Sequence, residues 1–166
     1  MRILVKIIMS RLDDKMRMHS GGKFMSRREI REHLFRMLFR KEFHDSSELN
    51  EQNLLYFENL DESPSQEEMD YLFDKYNTIL VKVPEIDEML ESASEGWRLN
   101  RMGKAELAIL RLAVYEMIFD EDIPVGVAIN EAVELAKKYG GDHSKSFVNG
   151  ILAKLVDKKP NKDSEE

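Results

Sequence analysis

Residues 104–119 read KAELAILRLAVYEMIF. Apolar side chains fall on almost every side of this stretch, so as a helix it has no face left for water and belongs in the middle of a bundle. The acidic run Asp120-Glu121-Asp122 ends it. Pro124 then opens a further helix, PVGVAINEAVELAKKY, which stops at Gly140-Gly141 with Lys137 and Lys138 in its last turn, as the helix dipole prefers. Asp142 or Ser144 caps a last helix carrying Phe147, Val148, Ile151, Leu152 and Leu155 at helical spacing.

Upstream the same period recurs. Ile30, Leu34, Met37 and Leu38 predict a first helix from Arg27 to about Phe43, with Ser26 as N-cap and Glu29 three residues on. A second, shorter helix is expected over Ser47 to Phe57. Ser65 caps a third through Met69, Leu72, Phe73, Tyr76, Ile79 and Leu80, and Pro84 is expected to break it and open another through Ile86, Met89 and Leu90. Ser92 to Gly96 reads as a connector. No segment alternates apolar and polar residues for long, so the expected fold class is all-α.

The chain has 166 residues, enough for one ordinary domain, and 42% of them are hydrophobic. It has no cysteine, which excludes disulfides, thiol nucleophiles and cysteine zinc sites. The opening MRILVKIIMS is too short an apolar run to span a bilayer, and no small-residue cleavage site follows it. Residues 1–24 are therefore expected to be a dispensable extension, residues 25–158 the domain, and residues 159–166 a disordered polar tail.

The net charge of −7 argues against nucleic-acid binding only until it is divided along the chain. Residues 1–24 carry a net +4, residues 25–44 a net +3, residues 45–122 a net −14, and the remainder is neutral. A basic front and an acidic middle suggest two differently charged faces.

Catalytic patterns are lacking. Glu131 and Glu134 stand one turn apart, a spacing that acidic helices produce by chance. His33, His44 and His143 form no ligand spacing and read as surface histidines. Gly140-Gly141 is followed by Asp142 and reads as a helix C-cap, not a phosphate loop.

Arg27, Arg28 and Arg31 are more informative, since at 100° per residue they lie within about 100° of one another. They point along the line of Phe35 and Phe39, and they crowd a helix N-terminus whose free N–H groups already favour anions. Bases at that end oppose the dipole, which marks them as candidates for phosphate contact over a merely solvated helix start. Phe39, Tyr139 and Phe147 are either core residues or platforms for unstacked bases. Trp97, Arg98, Asn100, Arg101 and Glu106 lie at the entry of the apolar helix, where a basic protein could dock.

Three blocks, SRREIREHLFRMLF (26–39), WRLNRMGKAELAILRLAVYEM (97–117) and IPVGVAINEAVELAKKYG followed by DHSKSFVNGIL (123–152), resemble the NusB family of transcription antitermination factors over most of residues 26–156. The resemblance implies about seven helices in two packed small bundles, no enzymatic activity and no cofactor. It implies a cytoplasmic factor, monomer or homodimer, that binds the boxA RNA of ribosomal RNA operons. Binding is joint with NusE, a small-subunit ribosomal protein, and the pair acts on RNA polymerase with other Nus factors.

By position, the resemblance assigns RNA contact to Arg27, Arg28, Arg31 and Phe39, where many members carry Tyr, and to Lys145 and Phe147. It assigns partner contact to Asn100, Arg101 and Glu106. His143 takes a place that is usually acidic. A rival reading keeps the helices and makes the chain a self-associating interaction module without RNA specificity of its own. NusB-like domains joined to RNA methyltransferases are a second comparison, but this chain has no strand, glycine-rich turn and helix unit to serve as the catalytic half.

Overall fold

In a computed structural model, residues 24–157 are described. The expected extension, residue 24 apart, and the expected tail at 159–166 lie outside the described residues. The described chain is all-helical, with α1 (Arg27–Arg40), α2 (Leu49–Glu58), α3 (Gln66–Ala93), a 3-10 turn (Leu99–Arg101), α4 (Lys104–Ile118), α5 (Val125–Tyr139) and α6 (Ser144–Asp157). It divides into two compact units after Thr78.

In the first unit, α1 starts where its sequence requires. The Ser26 hydroxyl accepts from the Glu29 N–H at 3.3 Å while the Glu29 carboxylate accepts from the Ser26 N–H at 2.8 Å, a reciprocal capping box. Ser65 and Glu68 repeat the device at the start of α3, and Glu68 also accepts from the Met25 N–H, tying the two helix entries together. Leu34, Phe35, Met37 and Leu38 of α1 are buried, as are Leu49, Leu54 and Phe57 of α2 and Met69, Leu72 and Tyr76 of α3. Helix α1 ends at Arg40, three residues before the expected Phe43. Lys41, Glu42 and Phe43 continue as a tighter turn bonded to Leu38, Phe39 and Arg40.

His33 corrects one expectation. It is a half-buried residue whose Nδ1 lies 2.7 Å from the Tyr56 hydroxyl, not a surface histidine. Burial first, and the Arg36 charge second, hold its pKa below the ordinary histidine value, against the opposing pull of Glu32, Glu29 and Glu68.

Pro84 corrects another. Helix α3 runs unbroken for 28 residues with Pro84 inside it, so the two helices expected there are one. The proline removes one donor and costs about 3 kcal/mol in a helix interior. Ile79, Val83, Ile86 and Leu90 recur at spacings of three and four on both sides of it and all are buried, each worth about 1.5–3 kcal/mol. The stripe outweighs the missing bond.

In the second unit, every residue of α4 from Leu107 to Met117 is buried. Helix α5 faces it with Ala128, Ala132 and Ala136, small enough for close approach, and α6 adds Val148, Ile151, Leu152 and Leu155. Polar links add to this packing. Arg111 forks onto Asp87, with Nε to Oδ1 at 2.8 Å and Nη2 to Oδ2 at 2.9 Å. Glu95 and Gly96, both at positive φ, turn the chain out of α3, and Glu95 pairs with Lys154 at 3.1 Å. Gly140 caps α5 in an extended conformation, and it is glycine because a Cβ there would collide with Ser144.

Two outcomes follow. Asp87→Ala leaves the Arg111 guanidinium buried without its carboxylate and should cost about 3 kcal/mol in urea unfolding, the low end for a broken buried pair because Asp87 is a quarter exposed. The depressed His33 pKa means that the unfolded chain takes up a proton there before the folded chain does. Stability should therefore fall as pH drops below about 6.5. His33→Gln should flatten the difference in urea midpoint between pH 7.5 and pH 5.5; an unchanged difference contradicts the assignment.

Candidate nucleic-acid and partner surfaces

On α1 the predicted residues separate. Arg27 and Arg28 are exposed at the capped helix start, but Arg31 is only 6% exposed and Phe35 is buried. The expected open cluster of three guanidiniums is therefore not formed. The reason is rotational: at 100° per residue Arg27 and Arg31 fall in the arc of Leu34 and Leu38, and Arg27 escapes burial only because it stands at the helix end.

The outward arc, about 120° wide, holds Arg28, Glu29, Glu32, Arg36, Phe39 and Arg40, with the Glu29 carboxylate turned back onto the Ser26 N–H. Phe39 is half-buried, between Phe35 at 6.1 Å and Phe43 at 5.0 Å between ring centroids, the latter edge-on. Phe43 is 58% exposed. Sequence reasoning passed over Arg36, Arg40 and Phe43. The signal was present in the six bases of residues 25–44, of which Arg27, Arg28 and Arg31 are only three.

Arg36 and Arg40 share one ring. The Arg40 Cζ lies 3.9 Å from the Tyr56 ring centroid and the Arg36 Cζ 5.9 Å. The Arg36 Nη1 donates to the Tyr56 hydroxyl at 3.2 Å and its Nη2 to Glu32 at 2.8 Å, while the Arg40 Nη1 donates to the Arg36 carbonyl at 2.9 Å. Burial and the neighbouring Arg36 charge both push the Arg40 pKa down from the usual arginine range.

In the second unit, Phe147 is half-buried and meets Trp97 edge-on at 6.4 Å, and Trp97 is 58% exposed. Lys145 is exposed on the first turn of α6. Asp142 and His143, just before that helix, are exposed as well. An open cleft of about 680 Å³ is lined by Glu91, Gly96, Trp97, Arg98, Leu99 and Asn100. Asn100 and Arg101 stand exposed on the 3-10 turn beside it.

Glu106 differs from its neighbours. It is half-buried, its carboxylate accepts a hydrogen bond from the Ser144 hydroxyl, and it lies against Gly103, where a Cβ would strike it. Ser144 in turn accepts from the Gly141 N–H at 2.8 Å. Glu106 thus braces the start of α4 against the start of α6, a role that neither its position nor its charge revealed in the sequence.

Glu134 pairs with Lys137 at 2.7 Å, and among the described residues no three His, Asp or Glu side chains come together to hold a metal. No described helix is long and apolar enough to cross a membrane.

The comparisons with known proteins agree on one family. The pattern of the NusB family matches residues 28–157. Transcription antitermination protein NusB of Lachnoclostridium phytofermentans is 63% identical over 133 residues, which is 80% of this chain and the whole of that protein. Among solved structures, T. maritima NusB superposes with a TM-score of 0.71 at 36% identity, covering 85% of this chain and 97% of that one. A complex of the antitermination factors NusB and NusE with double-stranded RNA superposes with a TM-score of 0.65 at 26% identity, covering 80% of this chain and 97% of that one. The chain belongs to the NusB family.

Proposed function

We propose that this chain is a transcription antitermination factor that binds the boxA RNA of ribosomal RNA operons together with NusE and supports antitermination by RNA polymerase with the other Nus factors. It is an RNA-binding protein and not an enzyme. The observation that carries the reading is the family match over residues 28–157, joined to a relative of the same fold that was solved with NusE and RNA. These matches favour antitermination over a self-associating module without RNA specificity. A cytoplasmic location goes with this role.

The residues divide the work by charge and shape. Arg27 and Arg28 contact RNA phosphates at the start of α1, where the free N–H groups add to their field. Arg31, being buried, acts by holding the helix against its unit. Phe39 offers a ring to an unstacked base, with Phe43 at its edge supporting the orientation. Lys145 gives the start of α6 a further phosphate contact, and Phe147 with Trp97 supplies a second aromatic pair.

Asn100 and Arg101 contact the protein partner directly, and Glu106 keeps their neighbourhood in place through Ser144. The exposed acids of α3, with Glu67, Asp70 and Asp74 in one unit and Glu85, Glu88 and Glu91 in the other, suit a basic partner. Phosphate contacts position RNA without reading it, so sequence preference comes from the bases and from the second protein.

A titration of boxA RNA against a scrambled control, with and without NusE and across a salt series, tests the reading. The wild type should prefer boxA, and NusE should tighten binding. Arg27→Ala with Arg28→Ala should reduce the slope of log affinity against log salt by about 0.7 for each phosphate no longer neutralised. Phe39→Ala should cost about 1–3 kcal/mol of RNA affinity with little change in that slope. For the partner, Asn100→Ala with Arg101→Ala should weaken NusE capture, whereas Glu106→Gln keeps an acceptor for Ser144 and should leave capture intact. Equal affinity for boxA and scrambled RNA in the presence of NusE would contradict the proposal.

A further inference from the structure

We propose that Arg36 and Arg40, braced on Tyr56, form a second phosphate-binding position that extends the RNA track along the outer face of α1. The inference rests on the RNA-binding reading above and adds to it two residues that lie beyond the helix terminus.

Three observations carry it. The first is crowding. Two guanidiniums one turn apart lie over one tyrosine ring, at 3.9 and 5.9 Å. Glu32 pairs with Arg36 at 2.8 Å, and Arg40 has no carboxylate partner among the described residues. Like charges held this close repel, and an anion seated between them removes the repulsion.

The second is preorganisation. The Tyr56 ring is fixed by His33 at its hydroxyl and by Phe57 at 4.8 Å, and the Arg40 Nη1 is tied to the Arg36 carbonyl. Folding has already restricted the rotamers that phosphate binding would otherwise have to restrict. The stacked guanidinium keeps further N–H donors for a phosphate after the one used on the carbonyl.

The third is the aromatic neighbour, which decides between anions. Phe39 shares the arc with Arg28, Arg36 and Arg40, and the exposed Phe43 meets it edge-on at 5.0 Å. Arg28 and Arg40 are twelve residues apart, about 18 Å along the helix, and Phe39 falls within that span. Cations at both ends of such a span with an aromatic ring inside it match a nucleotide strand, whose phosphates and bases alternate. An acidic peptide or a free anion has no use for the ring.

The test is RNA affinity across a salt series for two variants. Arg36→Gln with Arg40→Gln should lower affinity and reduce the salt slope by about 1.4, from about 0.7 for each of two contacts on a single strand. Glu32→Gln should do the opposite and tighten binding several-fold, because it releases Arg36 from a competing carboxylate. A gain cannot arise from misfolding, so Glu32→Gln decides the matter even where the double variant melts early.

An unchanged slope in a folded double variant, or a Glu32→Gln variant that binds no tighter, overturns the proposal. Wild-type protein that binds no RNA removes the broader reading as well, while weakening confined to Arg27→Ala with Arg28→Ala removes this one alone. Inorganic phosphate at constant ionic strength is the remaining arm: if millimolar phosphate displaces the RNA, the position takes a free anion and not the backbone.

Discussion

Helix α4 has no side to spare. With eleven consecutive residues buried, from Leu107 to Met117, its second unit closes around it, and anything it offers a ligand must come from its ends. The one charged side chain well inside that run with a forked carboxylate partner, Arg111, is held by Asp87 on α3. At the other end Glu106 joins the first turn of α4 to Ser144 at the start of α6. Trp97, Asn100 and Arg101 stand exposed around that entry.

The first unit obeys the same rule with a different result. Helix α1 is amphipathic, so its inward arc is claimed by Leu34, Met37 and Leu38, and that claim determines which of its six nearby bases remain on the surface. Arg31 falls to the inward arc. Arg28, Arg36 and Arg40 fall on the outward one with Phe39 among them, while of the two carboxylates on that arc Glu29 caps the helix and Glu32 pairs with Arg36. A chain of net charge −7 can therefore hold a polyanion, since what matters is the cation density of one helix face and not the sum.

Much of this was legible from residue types and spacing. The buried character of residues 104–119, the Ser26 cap with Glu29, the stop at Gly140 and the all-helical class all follow from period and capping chemistry, and the three conspicuous blocks led to the family. What escaped reading involved competition between local and tertiary effects. Pro84 should end a helix by its local chemistry, but Ile79, Val83, Ile86 and Leu90 bury a stripe on both sides of it. His33 pairs with a tyrosine 23 residues away, a contact no spacing encodes. Three arginines within about 100° of one another look like an open cluster until the core decides which part of that arc faces inward. Glu106 resembles a free acid because the hydroxyl that engages it comes from another helix.

The outward arc of α1 is the face on which the RNA-binding reading most depends. A nitrogen-15 NMR titration of the folded protein with boxA RNA tests it residue by residue. The largest shifts on α1 should fall on Arg28, Arg36, Phe39 and Arg40, with Leu34 and Leu38 scarcely moved; RNA binding that leaves the whole of α1 unshifted would mean that this arc does not hold the RNA.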